Sequence, residues 1–329
     1  MRCSATVSGS AHVGVRVRAA MVVGLAVIDL LFPGASASTA QTAALAADTP
    51  RTAWGVPDFS GYWEYRSSTP LERPGTLPDR ATLTPTEAAA YLPQRLTDIG
   101  KERDLQLNAD WWEPGGLTDD RTSMITDPSD GRLPAMTDDA RHRDRTLGLR
   151  SRSRPADGPE DRERYERCIM GRTVPLMAVA PNRLAQIFQT PDHLVILHEQ
   201  NWDVRVIRIA EAPHPPDRVR QWQGDSYAHW DGDTLVVRSA NFNGAWTLNG
   251  TSANMQVVER FAIANDGTLD YQFTIDDPES FAAPWTVAFP ITRAVGPLFE
   301  NACHEGNHSM PLILRGARAE ERLDTDRPR

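Results

Sequence analysis

From residue 181 onward the chain alternates apolar and polar residues in short runs that are separated by turn residues. A period of two residues is typical of β-strands, because successive side chains point to opposite faces of a strand. In the clearest run, Leu269 to Ile275, every apolar residue stands at an odd position. Tight turns occur at Asp231-Gly232-Asp233 and Asn265-Asp266-Gly267, and such turns join antiparallel neighbours. The pattern therefore predicts a mainly β fold, an antiparallel meander that closes into a barrel or a sandwich.

About nine strands are expected, joined mainly by hairpins. Two runs, 194–197 and 235–237, are apolar on both faces, which predicts that another part of the chain covers the outside of the barrel there. The expected strands lie at residues 59–65, 184–188, 194–197, 204–209, 227–230, 234–242, 255–263, 269–275 and 285–291.

The segment 66–180 differs from the rest, because it is polar, rich in Arg and Asp, and interrupted by Pro and Gly. We predict that it is an irregular, short-helical segment that wraps the barrel. Thr84-Pro85-Thr86-Glu87 has the residues of a helix capping box, with Pro at the first helical position, and Pro93 is expected to kink or end that helix. Further helices are expected over 159–168 and 309–321, and a solvated loop is expected over 128–160.

The N-terminus has the order of a secretory signal, in which basic residues precede an apolar run and small residues follow it. Three arginines precede the apolar run 19–28, and cleavage is expected after Ala37 or Ala46. The run is short for a membrane span, and an uncleaved anchor is the alternative. We predict that 1–46 is a signal peptide, that 47–329 is a single barrel domain, and that the protein is periplasmic or secreted, without stable membrane insertion after cleavage.

The cysteines agree with export. Cys3 belongs to the predicted signal, which leaves Cys168 and Cys303 in the mature chain. Two cysteines in an oxidising compartment most simply form one disulfide. A catalytic cysteine is the alternative, although neither residue lies in a known nucleophile motif.

Charge and missing motifs exclude several classes of function. The formal net charge is −9, whereas proteins that bind nucleic acid usually carry a basic surface. The sequence has no Gly-rich nucleotide loop, no Gly-x-Ser-x-Gly motif and no Cys-x-x-Cys-His motif. These absences argue against nucleotide-dependent chemistry, an α/β-hydrolase and a haem protein. We therefore expect no nucleic-acid partner and no cofactor.

Gly61-Tyr62-Trp63 on the first strand, followed by a hairpin meander, resembles the Gly-x-Trp opening of lipocalin-like (calycin) barrels. A longer set of motifs resembles a large group of secreted bacterial proteins of unassigned function, over essentially the whole mature chain. The chain departs from this group at Trp202, where histidine is usual, and at His308, where an aromatic residue is usual. The resemblance implies a lipocalin-like barrel and export, and it implies no substrate. The motifs are 59–63, 121–125, 189–193, 230–237 and 302–307.

The richest cluster of reactive side chains is Cys303-His304-Glu305-Gly306-Asn307-His308. His-Glu-x-x-His binds zinc when a helix places both histidines on one face, but Gly and Asn in the middle disfavour a helix. A strand end or loop is expected instead, where the disulfide would hold the His304–Glu305 pair rigid, as suits a site. A structural pair, or a zinc-dependent hydrolase that uses His304 and His308, are the alternatives.

Glu259 lies on the same strand face as Val257 and Phe261, so the pattern places a carboxylate in the core. Burial raises the pKa of an isolated carboxyl group, which is how a general acid or base is made. The alternative is that Glu259 pairs with a buried arginine, either Arg205 or Arg238, as a structural contact.

Further candidates lie on or beside the other strands. His198 and Glu199 follow an apolar run and point to opposite faces, and Glu199 and Arg205 flank a tight connection that would make them neighbours. For most of these residues a structural role is an equal or stronger alternative. The candidates for substrate binding are Asn241, His198, Tyr227, His229 and Trp285.

These residues support a cofactor-independent acid/base enzyme of lyase, hydratase or isomerase type, acting on a hydrophobic or aromatic small molecule held in the barrel. His304 would be the general acid or base, Glu305 its orienting partner and Glu259 a second acid or base, while Arg205 or Asn241 stabilises negative charge. Glu199 is a further catalytic candidate. The first alternative is a non-catalytic periplasmic carrier, and the second is the zinc-dependent hydrolase.

Overall fold

Among the residues described by a computed structural model of the chain, ten β-strands form the framework. They are β1 (Gly61–Glu64), β2 (Ile125–Asp127), β3 (Leu184–Gln189), β4 (His193–His198), β5 (Val204–Ile209), β6 (Asp225–Asp231), β7 (Thr234–Ala240), β8 (Gln256–Ile263), β9 (Leu269–Asp276) and β10 (Trp285–Arg293). They form one sheet in the order β1-β3-β4-β5-β6-β7-β8-β9-β10-β2. Because β1 also pairs with β10, nine strands close into a barrel. The short β2 pairs with β10 outside that ring. The predicted barrel is confirmed.

The structure describes residues 49–102, 115–153, 156–162, 166–169, 173–178, 183–210, 213–244, 248–265 and 267–325. The predicted signal segment and its two cleavage sites lie outside these residues. Within the described ranges, none of the helices combines the length and the apolar character needed to cross a membrane.

Alternate residues of the barrel strands face inward and pack into one core, as a period of two predicts. On β9, Leu269, Tyr271, Phe273 and Ile275 are buried, whereas the residues between them are more exposed. Aromatic rings fill much of this interior, and the rings of Tyr271 and Phe289 lie 5.2 Å apart. The assignment of side chains to the two faces is therefore confirmed.

The two ends of the barrel differ in chemistry. Where β4 ends and β5 and β6 begin, His198, Arg205 and Ser226 are buried on the inward face; we name this the polar end. At the opposite, apolar end, Phe59 stacks on Trp230 with ring centroids 5.6 Å apart. These buried polar groups of the barrel therefore lie together at one end.

Segment 173–178 covers the polar end. Its residues Val174, Leu176 and Ala178 belong to the hydrophobic core. The backbone N–H of Leu176 donates to the Tyr271 hydroxyl at 2.9 Å. This part of the predicted wrapping segment therefore packs into the barrel rather than around it.

One pair of neighbouring strands departs from the predicted antiparallel meander. The strands β5 and β6 run parallel, and only two residue pairs align them, Arg208 with Tyr227 and Ile209 with Ala228. The connection from Ile209 to Asp225 returns the chain to the end of the barrel at which β5 began, and β6 therefore runs in the same direction. We name this weakly paired junction the β5–β6 seam.

The helices correct parts of the sequence prediction. The helices are α1 (Pro85–Glu102), α2 (Asp138–Ser153) and α3 (Ser309–Thr325). Pro93 lies inside α1 and does not end it, and α2 occupies much of the predicted loop 128–160. Of the predicted helix 159–168, the described residues form only a 3-10 turn at Pro159–Asp161.

The capping box at the start of α1 is present. The backbone N–H of Thr84 donates to Glu87 Oε2 at 2.8 Å, and the N–H of Glu87 donates to Thr84 Oγ1 at 3.3 Å. Hydrogen bonds from Arg80, and then from Thr84, lower the pKa of Glu87 to about 2. Its carboxylate is therefore ionised in the form that caps the helix.

The outer face of the barrel is covered unevenly. Val236 on β7 is buried, as its doubly apolar run predicts. On β4 the outward residues Val195 and Leu197 are only partly buried. Beside them on β5, Val204 and Val206 are 48% and 56% exposed. The predicted cover over 194–197 is therefore incomplete.

Candidate functional site

Arg205 and Glu259 form a two-pronged ion pair inside the barrel. Nη1 of Arg205 donates to Oε1 of Glu259 at 3.0 Å, and Nη2 donates to Oε2 at 2.5 Å. The side chains are 2% and 0% exposed. The sequence left two roles open for Glu259, a general acid or base and a structural partner of a buried arginine. The structure supplies the buried arginine, and it is Arg205 rather than Arg238. The backbone N–H of Glu199 donates to the Leu184 carbonyl, and the hydrogen bonds described for Arg205 go to Glu259, Ser226 and Ser239.

Three hydroxyl groups complete this cluster. The Tyr271 hydroxyl donates to Glu259 Oε1 at 2.8 Å, and Nη2 of Arg205 donates to Ser226 Oγ at 3.1 Å and Ser239 Oγ at 2.9 Å. Burial, and then the neighbouring Glu259 carboxylate, raise the pKa of Tyr271 well above its ordinary value. Tyr271 therefore stays protonated and donates its proton toward the carboxylate. Both oxygens of Glu259 are therefore hydrogen-bonded within the cluster.

The cluster spans the β5–β6 seam. Arg205 extends from β5 to Ser226 on β6, to Ser239 on β7 and to Glu259 on β8. Because only two residue pairs align the backbones of β5 and β6, these side-chain bonds hold the wall together where backbone pairing is short. A cleft of about 520 Å³ opens beside them, with Arg205 and Ser226 in its lining.

His198 and Tyr65 form a second buried pair at the polar end. The Tyr65 hydroxyl lies 3.1 Å from Nδ1 of His198. Burial, and then the positive charges of Arg205 and Arg183, lower the pKa of His198 to about 3. Burial also raises the pKa of Tyr65. Both groups are therefore neutral near pH 7, and Nε2 of His198 has no hydrogen-bond partner among the described residues.

The His304–Glu305 pair lies in an exposed turn just before α3. The predicted disulfide is present: Cys168 and Cys303 are bonded, with Cα atoms 5.6 Å apart. The neighbouring Asn307 donates from Nδ2 to Cys168 Sγ at 3.1 Å. Glu259 is buried with Arg205 and Tyr271. The structure therefore brings two of the predicted catalytic residues together, Glu259 and Arg205, but among the described residues no hydrogen bond joins either of them to His304 or Glu305.

The same turn argues against the zinc interpretation. The helix that would place two histidines on one face begins only at Ser309, after His308. Within the described ranges, no three His, Cys, Asp or Glu side chains lie close enough to hold a metal ion together. The hypothesis of a zinc-dependent hydrolase therefore lacks the helix that would place His304 and His308 on one face.

The remaining predicted residues are dispersed. Burial raises the pKa of the half-buried Glu199. Trp285 is fully buried, and its ring packs edge-on against Phe273 and Phe281 at about 6 Å. Its Nε1 has no partner among the described residues. The prediction that His229 and Tyr227 share a face of β6 is confirmed, and that face is the outer one.

A histidine that sequence analysis missed lies beside Tyr227. Nδ1 of His214 is 3.0 Å from Oδ2 of Asp225, the first residue of β6. A carboxylate only accepts hydrogen bonds, so Nδ1 is the donor in this contact, and Nε2 is the ring nitrogen that is not bonded to Asp225. The ring centroids of His214 and Tyr227 are 4.7 Å apart. Histidine and aspartate together form a base with a fixed orientation.

The His214 side chain lines a cleft of about 350 Å³ on the outer side of the barrel. Two of the predicted substrate-binding residues, Tyr227 and Asn241, line the same cleft, and so does the exposed Arg238. Nδ2 of Asn241 donates to the Pro215 carbonyl at 2.7 Å, which fixes the loop that carries His214. The signal available in the sequence was Pro213-His214-Pro215, a stiff loop that presents one titratable side chain.

Comparison with known proteins adds no relative. None of the protein-family models matches the chain, and the search of curated proteins returns no significant match.

Proposed function

We propose that the protein is an acid/base enzyme that moves a proton on a small molecule, with His214 as the general base and Asp225 as its orienting partner. The observation that supports this most directly is the 3.0 Å contact between His214 Nδ1 and Asp225 Oδ2 beside a cleft. An imidazole held in this way presents its basic nitrogen in one orientation, as general-base catalysis requires. The reaction would be of lyase, hydratase or isomerase type.

The lining of the cleft supports a substrate with a flat or apolar body and a polar group. Clefts that bind small molecules commonly measure 300–1,000 Å³, and this one measures about 350 Å³. Tyr227 offers an aromatic wall beside the imidazole, and Arg238 lies directly opposite Tyr227 on β7. An arginine in that position stabilises the negative charge that develops when a proton is removed next to a carbonyl group.

The proposed general base, His214, is not among the catalytic residues that the sequence predicted. His304 and Glu305 lie in an exposed turn, Glu259 is occupied by Arg205 and Tyr271, and His198 is too weak a base at its lowered pKa. Of the described histidines considered as bases, His214 is the one that both contacts a carboxylate and lines a cleft. Asn241 acts as a positioning residue through the loop carbonyl that it binds.

We also propose that the protein is exported. The order of residues in 1–46 supports this, and so does the Cys168–Cys303 disulfide, because disulfides persist in oxidising compartments. The motif resemblance to secreted lipocalin-like proteins belongs to the same proposal.

The test is untargeted mass spectrometry on the purified protein incubated with an extract of small metabolites. We expect one metabolite to be consumed, and we expect H214Q and D225N to slow its consumption about 100-fold or more, the usual contribution of a general base. The matched control is H193Q, because His193 also pairs with a neighbouring carboxylate, Asp192, at 3.1 Å in an exposed turn.

Two results would overturn the proposal. Unchanged consumption in H214Q, with the protein folded, would show that His214 is not the base. A stoichiometric ligand released on denaturation, with nothing consumed, would identify a carrier instead of an enzyme.

A further inference from the structure

The lining of the His214 cleft carries more positive than negative charge. Arg238 lies on its wall on β7, and Arg220 reaches it from the segment that leads into β6. The acidic residue of the lining is Asp217. When His214 is neutral, as a general base must be, these groups leave one positive charge in excess. The whole chain has a formal net charge of −9, so the cleft departs from the acidic character of the protein.

Neutral acceptors hold the Arg220 guanidinium in place. Its Nη1 donates to the carbonyl oxygens of Phe242 at 3.0 Å and Ala253 at 2.6 Å, and its Nη2 donates to Oδ1 of Asn254 at 2.7 Å. These bonds use three of the five N–H groups of an arginine. In the described part of the chain Nε of Arg220 has no acceptor, and it is not one of the buried unpartnered atoms, so it is accessible to solvent. The guanidinium is therefore fixed in position while its charge has no counterion there.

Arg238 is the second cation of the lining. It is exposed on the outer face of β7, opposite Tyr227 on β6 and Val258 on β8. It forms no ion pair with any residue that the structure describes. The ring of Tyr227 lies 4.7 Å from that of His214. An anion bound to Arg238 would therefore lie beside the proposed base.

The remaining charges near the base largely balance each other. Asp225 lies 3.0 Å from His214 and 3.8 Å from Arg208, and it is not part of the cleft lining. Asp217 is exposed and has no ion-pair partner among the described residues. A ligand with a single negative charge matches the excess in the cleft, whereas a phosphate monoester, with a charge of about −1.5 to −2, exceeds it.

We propose that the substrate of the His214 cleft is a small monocarboxylate with a flat or apolar body. Arg220 and Arg238 bind its carboxylate, and its body lies against Tyr227. Guanidinium groups bind carboxylates through paired, charge-assisted hydrogen bonds, and a locally positive cleft concentrates anions even on an acidic protein. This inference rests on the proposed function, because it names the substrate class of the same cleft.

The probe is benzoate, a flat monocarboxylate, compared with its neutral analogue benzamide and with phenyl phosphate. Saturation-transfer NMR on the full protein measures binding. We expect a dissociation constant for benzoate on the order of millimolar, as usual for so small a molecule, and at least 10-fold weaker binding of benzamide. Added salt should weaken benzoate binding and leave benzamide binding unchanged.

Two charge variants test the residues in opposite directions. R238Q removes an exposed cation, and we expect it to weaken benzoate binding about 10-fold. D217N removes the repelling charge and should tighten benzoate binding about 2- to 5-fold, which a merely structural role of Asp217 would not do. The matched controls are R315Q and E320Q on the exposed face of α3, and both should leave benzoate binding unchanged.

Two tryptophan variants locate the site, because Arg220 also lines the cleft beside the β5–β6 seam. Q256W fills the His214 cleft from an exposed position on β8, and V206W fills the seam cleft from an exposed position on β5. We expect Q256W to weaken benzoate binding at least 10-fold and V206W to leave it unchanged. R220Q should act as R238Q does, and if R220Q does not fold, R238Q still decides.

Three results would overturn the inference. They are equal binding of benzoate and benzamide, tighter binding of phenyl phosphate than of benzoate, and wild-type binding of benzoate to R238Q or Q256W. The proposed function fails separately: Arg238-dependent binding of benzoate with no metabolite consumed would refute the enzyme and keep the carboxylate site. Conversely, consumption of a neutral metabolite that is lost in H214Q would keep the enzyme and refute this inference.

Discussion

Arg205 and Glu259 are bonded to each other from strands that are not neighbours, since β6 and β7 lie between β5 and β8. The guanidinium therefore spans a short junction of the barrel wall, where the backbones of β5 and β6 are aligned over only two residue pairs. A buried ion pair often contributes little net stability, because both charges lose their hydration. In this barrel the ion pair also links strands across a junction where backbone pairing is short. That link is its structural role.

Removing one charge of this pair should be severe. We expect E259Q to lower the free energy of unfolding by about 3–5 kcal/mol, because it leaves the Arg205 charge buried without its counterion. Denaturant unfolding of the disulfide-intact protein measures the change. The control is E320Q on the exposed face of α3, which should be nearly neutral. A loss below about 1 kcal/mol for E259Q would mean that water or another group compensates the guanidinium.

The low pKa of His198 predicts acid sensitivity. The unfolded chain binds a proton on this residue below its ordinary pKa of 6.5, whereas the folded protein binds it only near pH 3. Its contribution to stability is therefore complete above pH 6.5 and is lost as the pH falls toward 3, by about 1.4 kcal/mol per pH unit.

The measurement is the difference between the wild type and H198Q in denaturant unfolding at pH 7, 5.5 and 4. Glutamine keeps a polar group beside Tyr65 and does not titrate, so its stability should fall less steeply with acid. Parallel profiles for the two proteins would show that the folded protein accepts the proton at His198.

Loss of the Tyr271 hydroxyl should loosen the cover over the polar end. In Y271F the backbone N–H of Leu176 loses its acceptor, whereas Oε1 of Glu259 loses one of two donors and keeps Arg205. An unsatisfied buried group costs about 1–3 kcal/mol, so we expect a loss of about 1–3 kcal/mol and faster proteolysis within 173–178. A matched control is Y62F, because Tyr62 lies on the alternate, less buried face of β1. Equal proteolysis of Y271F and the wild type would show that the segment is held by its apolar residues alone.

The disulfide should contribute more than an average crosslink. It joins residues 135 positions apart, and in the chain-entropy model a loop of that length gives about 5 kcal/mol. We expect C168S/C303S to lose stability of this order in denaturant unfolding. A loss below about 1 kcal/mol would show that the denatured chain is already compact, because the crosslink would then remove little freedom from it.

The sequence predicted the barrel and its inward-facing residues well, because strand periodicity records which side chains are buried. Glu259 was assigned to the core for that reason, and the disulfide followed from there being only two cysteines after the signal. Periodicity does not record strand direction, so the parallel arrangement of β5 and β6 was missed.

The other errors also have physical causes. Helix α2 is so rich in Arg and Asp that it has no apolar stripe to detect, and its clearest signal was Thr137, whose Oγ1 caps the N–H of Ala140 at 3.1 Å. The contact between His214 and Asp225 depends on the path of the loop between them, which local patterns do not encode. His304 and Glu305 drew attention because reactive residues are adjacent there, but adjacency in sequence does not produce a cavity.

The number of strands in the ring explains why the seam exists. If every neighbour in a closed ring ran antiparallel, directions would alternate around it, and alternation closes only when the number of strands is even. This barrel has nine, so at least one pair must be parallel, and β5–β6 is that pair. Any homologue with the same odd count must contain a parallel pair, wherever in the wall it lies. The cleft and the buried guanidinium therefore lie at the parallel pair that an odd number of strands requires.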